Sequence, residues 1–241
     1  MHLWASGETS VRQTHRRGHL VYAARGVLSV HTERGTSIVP ANRAAWTPAG
    51  FAHHHRAHGD TDMRIVFLPA ALAGLLPDRP VVFVATGLAR ELVLTLTGPR
   101  TFDGPARARL NRVLVDDLQE ADEQSLHLPE PRDDRLRAVA RLLYEHPADN
   151  TSLADLGRRT GASGRTLSRL LRSELGMTFY EWRTQIRIAN ALMLLADGYD
   201  TNRTARACGW ANPSSFIEAF AGLIGTTPGQ YRKNPSAGGP W

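Results

Sequence analysis

Residues 176–198 read GMTFYEWRTQIRIANALMLLADG, and this stretch predicts one long helix with well-marked ends. Thr178, with Glu181 three residues later, forms a capping-box pattern at the start, and Gly198 follows the end. A helix of about 19 residues would span roughly 28 Å. Apolar residues recur along it at steps of three and four, which is typical of a helix packed on one side. These residues are Phe179, Trp182, Ile186, Ala189, Met193 and Ala196.

A pair of short helices is predicted on each side of this long helix. The preceding segment, TSLADLGRRTGASGRTLSRLLRSELG (151–176), breaks at Gly161, and Ser163 is the predicted N-cap of its second helix. The following segment, TNRTARACGWANPSSFIEAFAGLIG (201–225), restarts at Asn212 followed by Pro213. A short helix, a glycine turn and a second helix make up a helix-turn-helix. The sequence therefore predicts two such units, as an internal repeat.

The second helix of the first unit has one apolar and one polar, basic face. The inward stripe consists of Leu167, Leu170, Leu171 and Leu175, and the opposite face carries Arg165, Ser168, Arg169 and Arg172. Arginine on such a face can pair with guanine edges or with phosphates. The alternative is that the arginine face is only exposed to solvent, and that the helix serves only to pack within its domain. The repeat favours DNA, because the long helix is close in length to the ~34 Å turn between successive major grooves.

Composition is that of an ordinary globular protein with a basic C-terminal half. The 241 residues include 29 basic and 23 acidic side chains, for a net charge of +6. Residues 151–233 hold 11 basic and 6 acidic side chains, which suggests a polyanionic partner. No apolar run approaches the ~20 residues that a membrane span needs, and no signal peptide is recognisable. A single cysteine, Cys208, is consistent with the cytoplasm, and we expect it to be a small core residue.

The N-terminal part has the pattern of short strands. Residues 19–68 contain strand-like segments that are separated by glycine or proline at Gly26, Gly35, Pro40, Gly50 and Gly59. Such close spacing predicts a small antiparallel barrel or sandwich, with one more strand at 80–85. From residue 87 the period becomes helical, and a helix is predicted from Pro105 to Gln124. Its apolar stripe could pair two chains or pack on its own barrel.

The C-terminal 100 residues resemble the AraC/XylS transcription regulators. The resemblance lies in LADLGRRTGASGRTLSRLLRSELGMTFYEWRTQIRIANALMLLADG (153–198) and ACGWANPSSFIEAFAGLIGTTPGQYR (207–232). It implies two helix-turn-helix units that each place their second helix in a major groove. It also implies base contacts from Arg165, Ser168 and Arg169, and a phosphate contact from Arg172. In the second unit it implies contacts from Pro213, Ser214 and Ile217.

The second unit departs from this family pattern. Thr201 and Thr204 stand where the family usually has apolar residues in the first helix of the unit. The reading helix has Ala221 and Gly222 where relatives often carry basic residues, and Glu218 is acidic on its outer face. We therefore expect the first unit to supply most of the affinity for DNA.

The N-terminal segment from 15 to 54 resembles the cupin-type sensor domain of this regulator family. PAGFAH matches the cupin pattern P-x-G-x-x-H at Pro48, Gly50 and His53. In cupin enzymes that histidine binds a metal, together with two histidines and a glutamate from an earlier strand pair. Here His15 and His19 occupy the earlier region, but no glutamate follows at the expected distance, because the next acid is Glu33.

Two readings of the histidines stay open. In the first, His15, His19 and His53 form a three-nitrogen site for zinc, nickel or iron. In the second, His53 is an interior polar group for an organic effector, and the other histidines of residues 53–58 lie at the surface or rim. Alternation along a strand places His53 and His55 on one face. The candidate effector-binding residues are His19, Tyr22, Trp46, His53 and Arg64.

The predicted fold class is α+β: a cupin-like antiparallel β-barrel followed by an all-α domain with two helix-turn-helix units. The barrel covers residues 1–86, and a helical segment for dimerisation covers 87–126. A linker at 127–134 precedes the DNA-binding domain at 135–233, and 234–241 is a flexible tail.

The predicted function is that of a cytoplasmic, ligand-responsive transcription regulator and not of an enzyme. Its expected partners are double-stranded promoter DNA, a small-molecule effector, RNA polymerase and a second copy of the chain. Activation is common in the family that the chain resembles. No cofactor is required, although the barrel could hold a divalent metal. The alternatives are a metal-dependent cupin enzyme, such as a dioxygenase or isomerase, and a metal-sensing regulator.

Overall fold

The computed structural model describes residues 2–41, 43–124 and 126–233. An antiparallel sheet with three helices comes first, and a helical domain follows, so the predicted α+β class is confirmed at that level. The tail predicted at 234–241 lies outside the described residues. Within the described ranges, no helix combines the length and the apolar composition that crossing a membrane requires.

The sheet has eight described strands, and all their pairings are antiparallel. They are β1 (His2–Trp4), β2 (His19–Thr32), β3 (Gly35–Pro40), β4 (Arg43–Thr47), β5 (His53–Phe67), β6 (Val81–Val84), β7 (Glu123–Gln124) and β8 (His127–Pro129). Their order is β1-β5-β2-β4-β6-β7, and β3 lies between β2 and β8. The closed barrel that we expected is wrong for the described strands. Because β1 pairs only with β5 and β7 only with β6, the sheet stays open.

The strands β2 and β5 are longer than the glycine spacing predicted. Gly26 and Gly59 were expected to separate strands, but each lies inside a continuous one. Their φ angles of 78° and 66° let the chain bend while most of the ladder is kept. The register shifts around Arg25, next to Gly26, which marks a β-bulge. Both long strands therefore bend near their middle, at neighbouring positions.

Three helices cover one face of the sheet: α1 (Ala70–Ala73), α2 (Gly87–Thr97) and α3 (Gly104–Glu120). The α3 helix buries Leu114 and Leu118 against the sheet residues Leu20 and Trp46. Of the two roles left open for its apolar stripe, packing on its own sheet accounts for these buried residues. Val113 is the part of the stripe that faces away, with 43% of its surface exposed.

Two short strands occupy segments for which helix and linker were predicted. The β7 strand pairs with β6, and β8 pairs with β3, which places His127 opposite Ser37. The exposed edges of β6 and β3 offer unpaired backbone groups, which an extended chain satisfies. The connection to the helical domain is therefore shorter than the predicted linker of 127–134.

The helical domain contains seven described α-helices and one π-helical turn. They are α4 (Asp134–Glu145), α5 (Leu153–Arg159), α6 (Gly164–Leu170), the turn Leu171–Leu175, α7 (Phe179–Ala196), α8 (Thr201–Ala207), α9 (Pro213–Ile224) and α10 (Pro228–Lys233). The predicted starts are confirmed, because Ser163 and Asn212 cap α6 and α9 through their side chains. The capping box of Thr178 and Glu181 is complete, and α7 has 18 residues.

The α7 helix connects the two parts of the molecule. Its buried residues Trp182, Ile186 and Ala189 belong to the same apolar cluster as Val21 and Met63 of the sheet. Burying apolar surface on both sides of this boundary stabilises one arrangement of sheet and helices. The long helix is therefore an axis of the helical domain and also its contact with the sheet.

Candidate nucleic-acid interface and buried histidine cluster

The α6 helix and the turn after it present the polar face that the sequence predicted. Leu167 and Leu171 are fully buried, which fixes the rotation of the helix. The four candidate DNA contacts, Arg165, Ser168, Arg169 and Arg172, are all exposed. In the part of the chain that the structure describes, none of these arginines forms an ion pair, unlike Arg158 with Asp155 on α5. Three positive charges are thus free to meet a polyanion.

The corresponding helix of the second unit, α9, is less polar. Its candidate contacts Pro213 and Ser214 are exposed, and Ile217 is half-buried. The helix is held by Phe216 and Phe220, which are buried against each other with ring centroids 5.7 Å apart. Its sequence, PSSFIEAFAGLI, contains no basic residue. The electrostatic attraction for phosphate is therefore concentrated in the first unit.

The core of the second unit contains two buried polar residues on or next to α8. Thr204 is fully buried on α8, at a position where the family pattern has an apolar residue, and Thr201 is half-buried. Cys208 is also fully buried, and its Sγ accepts a hydrogen bond from Nδ2 of Asn190 at 3.4 Å. Burial raises the pKa of this thiol to about 11, so the thiolate is strongly disfavoured. Cys208 is a core residue, as predicted.

His53 meets two histidines that precede it by more than 30 residues, His15 and His19, on one face of the sheet. His15, His19 and His53 each offer a ring nitrogen, and these atoms lie within 4.8 Å of one another. His19 and His53 are 1% exposed, while His15 is half-buried at the rim. The ring centroids are 4.7 to 5.2 Å apart in all three pairs. The structure therefore brings together the three residues that the sequence suggested as metal ligands.

Three nitrogens of the cluster lack hydrogen-bond partners within the described residues. Both ring nitrogens of His19 and the Nε2 atom of His53 are buried and unpaired. The Nδ1 atom of His53 lies 2.9 Å from the carbonyl oxygen of Phe51, to which a protonated Nδ1 donates. That bond leaves the lone pair on Nε2. Burial, together with His53 and His55, lowers the pKa of His19 to about 2, so its ring is neutral near pH 7.

The other histidines of β5 follow the strand alternation. His55 is 1% exposed and lies beside His53, with ring centroids 5.1 Å apart, so its expected place at the surface or rim is wrong. His54 faces the other way and stacks on His31 at 4.6 Å. His58 is half-buried, and its Nε2 atom lies 3.1 Å from the hydroxyl of Ser29.

The five candidate effector residues do not form one site. His19 and His53 lie in the histidine cluster, whereas Tyr22 and Trp46 belong to the apolar cluster on the opposite face, under α2 and α3. The indole Nε1 of Trp46 donates to the carbonyl of Pro77 at 2.7 Å. Arg64 forms an ion pair with Asp62 at 2.6 Å. Because neighbouring residues of a strand point to opposite faces, the prediction mixed residues from both sides of the sheet.

Two groups of polar contacts join the N-terminal domain to the ends of α7 and α9, and no sequence signal pointed to them. The carboxylate oxygen Oδ1 of Asp197, at the end of α7, accepts from the Gly59 amide at 2.8 Å and from the Ser6 hydroxyl at 2.7 Å. The guanidinium of Arg43 donates to the carbonyl of Ile224, at the end of α9, at 2.8 Å. Burial lowers the pKa of Arg43 to about 10. Asp197 also lines a cleft of about 590 Å³ between the sheet and α7.

Comparisons with known proteins agree with this architecture. A family model described as a helix-turn-helix domain matches residues 156–234. The HTH-type transcriptional regulator NimR of Escherichia coli is 30% identical over 226 residues, which cover 92% of this chain and 82% of NimR. The arabinose operon regulatory protein of Escherichia coli is 27% identical, over 77% of this chain and 70% of that protein.

A solved structure of the DNA-binding domain of AdpA, in complex with a target DNA, is 27% identical, with a TM-score of 0.40. The match covers 44% of this chain and all of that domain. The relatives with curated names are transcriptional regulators, not enzymes. The chain belongs to the AraC-type family of helix-turn-helix transcriptional regulators, which are DNA-binding proteins.

Proposed function

We propose that the chain controls transcription from promoter DNA in the cytoplasm, by reading a specific sequence with α6 and an adjacent one with α9. The sheet domain senses a small effector, and occupancy of the effector site changes the affinity for DNA. Contact with RNA polymerase and activation of transcription belong to the same proposal. A metal-dependent cupin enzyme is not proposed, because the curated relatives are regulators.

The observation that carries the DNA-reading proposal is the exposed face of α6. Arg165 and Arg169 lie one helical turn apart, and Ser168 lies between them on the same exposed surface. An arginine fork can make two hydrogen bonds to the O6 and N7 atoms of guanine in a major groove. Arg172, in the following π-helical turn, would contact a phosphate beside that groove.

The length of α7 supports reading at two places on the same side of DNA. Its 18 residues correspond to about 27 Å. Successive major grooves on one side of DNA are separated by one turn, ~34 Å. Helices that lie beyond both ends of α7 could thus enter neighbouring grooves. Because α9 lacks basic residues, we expect the first unit to provide most of the phosphate attraction.

The contacts of the sheet with the second unit support effector control. Asp197 and Ile224 lie at the ends of α7 and α9, and both are held by residues of the sheet domain. A change in the sheet at Gly59 or Arg43 would therefore move α9 relative to α6. The cleft of about 590 Å³ beside α7 has the volume of typical small-molecule sites.

Pairing of two chains is the remaining element of the proposal. Val113 on α3 and Leu88 on α2 are large apolar side chains that the described chain leaves exposed, at 43% and 51%. A dimer would double the number of reading helices on a symmetric operator. Sedimentation velocity of the wild type and of a Val113→Asp variant tests this element: a monomeric wild type would remove it.

The test of DNA reading starts from a pool of random duplexes, from which the wild-type protein selects its preferred sequence. Affinity for that duplex is then measured by fluorescence anisotropy for Arg169→Ala. We expect a loss of ~1–3 kcal/mol together with relaxed preference at one base pair. Arg90→Ala, on α2, removes the same charge far from α6 and should leave affinity unchanged. Equal losses in both variants, or an unchanged preference in Arg169→Ala, would refute base reading by α6.

A further inference from the structure

We propose that His15, His19 and His53 bind one divalent transition-metal ion, and that this ion holds the sheet in the curvature that favours DNA binding. The regulatory half of this inference rests on the proposed function. The metal site itself depends only on the histidine cluster.

The geometry of the cluster is close to that of a metal site. The candidate nitrogens lie within 4.8 Å of one another. Around a tetrahedral zinc, with bonds of ~2.0–2.1 Å, ligand nitrogens are roughly 3.3 Å apart. Rotations about the side-chain torsions of the three histidines would close this difference of at most about 1.5 Å. The hydrogen bond from Nδ1 of His53 to the carbonyl of Phe51 is the kind of contact that orients a metal-binding histidine.

The missing hydrogen bonds in the cluster point to a ligand. Buried polar atoms in folded proteins are nearly always paired, because an unpaired one loses its hydration without compensation. Both nitrogens of His19 and the Nε2 atom of His53 are buried without a partner in the described residues. A single metal ion would supply the partner for one nitrogen of His19 and for Nε2 of His53.

The donor set selects the class of metal. Three imidazole nitrogens, with no carboxylate or thiolate in the group, suit Zn²⁺, Ni²⁺, Co²⁺ or Fe²⁺. They do not suit Ca²⁺ or Mg²⁺, which prefer oxygen ligands. Three protein ligands also leave one tetrahedral position for water or another small donor.

The position of the cluster connects a bound ion to the DNA-binding helices. His19 begins β2 and His53 begins β5, so an ion that binds both fastens the two ends of the bent strand pair. Six residues after His53 comes Gly59, whose amide binds Asp197 at the end of α7. Releasing the ion would allow β5 to straighten, and it would weaken the hold of the sheet on the second unit.

The experiment uses the full chain without an affinity tag, stripped with chelator and then titrated with Co²⁺. Absorption in the visible range reports the coordination, and elemental analysis reports the stoichiometry. We expect one Co²⁺ per chain, with the bands of a tetrahedral site, and affinity for the selected duplex higher by about 5- to 150-fold than in the stripped protein. His53→Ala should lose both effects.

The controls separate loss of the site from loss of the fold. His15→Ala removes a ligand at the half-buried rim, where the cost to folding is small, and it should also lose the tetrahedral bands. His146→Ala removes an exposed histidine from the helical domain and should behave as the wild type. Circular dichroism verifies that each variant is folded.

The outcomes distinguish the two proposals. Folded wild type that takes up no Co²⁺ or Zn²⁺, or that keeps its bands in His15→Ala and His53→Ala, overturns the metal site. Such a protein can still bind its selected duplex, so the proposed function would stand. One ion per chain that leaves DNA affinity unchanged overturns the regulatory half. Failure to select any DNA sequence would instead refute the proposed function.

Discussion

The rings of His19 and His53 lie 4.7 Å apart, although they sit at opposite ends of the same strand pair. His19 is opposite Phe67 in the ladder, whereas His53 is opposite Thr32. In a straight ladder, the distance from residue 19 to residue 32 would be roughly 43 Å. Because the rings nevertheless meet, the strand pair bends strongly between its ends, and the two glycines with positive φ, Gly26 and Gly59, lie near the middle of the two strands.

Gly59→Ala should destabilise the protein, because a Cβ atom there would lie 2.5 Å from the carbonyl oxygen of Ala196. The φ angle of 66° adds a cost for any side chain. We expect the free energy of unfolding in urea to fall by about 1–3 kcal/mol. Gly50→Ala is the matched control, since Gly50 has a φ of 83° but open space around it. Equal losses of unfolding free energy in the two variants would mean that the close contact of Gly59 with α7 does not add to the cost of the substitution.

Arg172→Ala should weaken binding to every DNA sequence by a similar factor. A phosphate contact carries no sequence information. Without it, fewer counterions are released when the complex forms. We expect the slope of log K against log salt concentration to become shallower by about 1. Anisotropy titrations at four salt concentrations, with a selected and an unrelated duplex, measure the slope. A change in sequence preference with an unchanged slope would show that Arg172 reads a base.

Thr178→Ala should loosen the start of α7. The Thr178 hydroxyl accepts from the Glu181 amide at 3.3 Å, and the Glu181 carboxylate accepts from the Thr178 amide at 2.7 Å. Loss of an N-cap typically costs ~1 kcal/mol in the free energy of unfolding. Thr178→Ser keeps the hydroxyl and should retain most of the stability, as measured by urea unfolding. Equal stability of the alanine and serine variants would show that this cap contributes little.

Cys208 should resist alkylation in the folded protein and make stability fall in alkaline solution. Its pKa is raised from 9 to about 11 by burial, so folding disfavours the thiolate. The contribution of the protonated thiol to stability is complete below pH 9. Between pH 9 and 11 it is lost, and the free energy of unfolding falls by up to ~1.4 kcal/mol per pH unit. Iodoacetamide labelling with and without urea, and unfolding across this range, test both points. Cys208→Ala should lack this part of the pH dependence. Rapid labelling of the native protein would contradict the burial of Cys208.

The helical domain was predictable because its signals are local. The caps at Ser163, Thr178 and Asn212 bind amides two or three residues away, so a short window of sequence contains the whole interaction. The buried face of α6 follows from its leucine spacing in the same way. The departures of the second unit from the family pattern could also be recognised from the sequence. Thr204, one of them, is buried at a core position.

The sheet was predicted less well because its pairings are distant in sequence. Glycine marks both turns and bulges, and only the partner strand decides which, so Gly26 and Gly59 were assigned as breaks. The strands β7 and β8 are too short to show a period of two, and they form where the edges of β6 and β3 need partners. Tyr22 and Trp46 were grouped with His19 because strand residues were named without knowledge of which face each occupies.

The sequence by itself determined the α+β order, the helix starts and the regulator family, because these depend on short-range caps, helical periodicity and the 153–232 motif. It also named His15, His19 and His53 as a three-nitrogen site, but only as one of two readings. Only the tertiary structure decided that their rings meet, that His55 is buried beside them and that Asp197 holds Gly59. Those contacts depend on how β2 and β5 bend and on where α7 packs against the sheet. Neither feature can be predicted from short segments of the sequence.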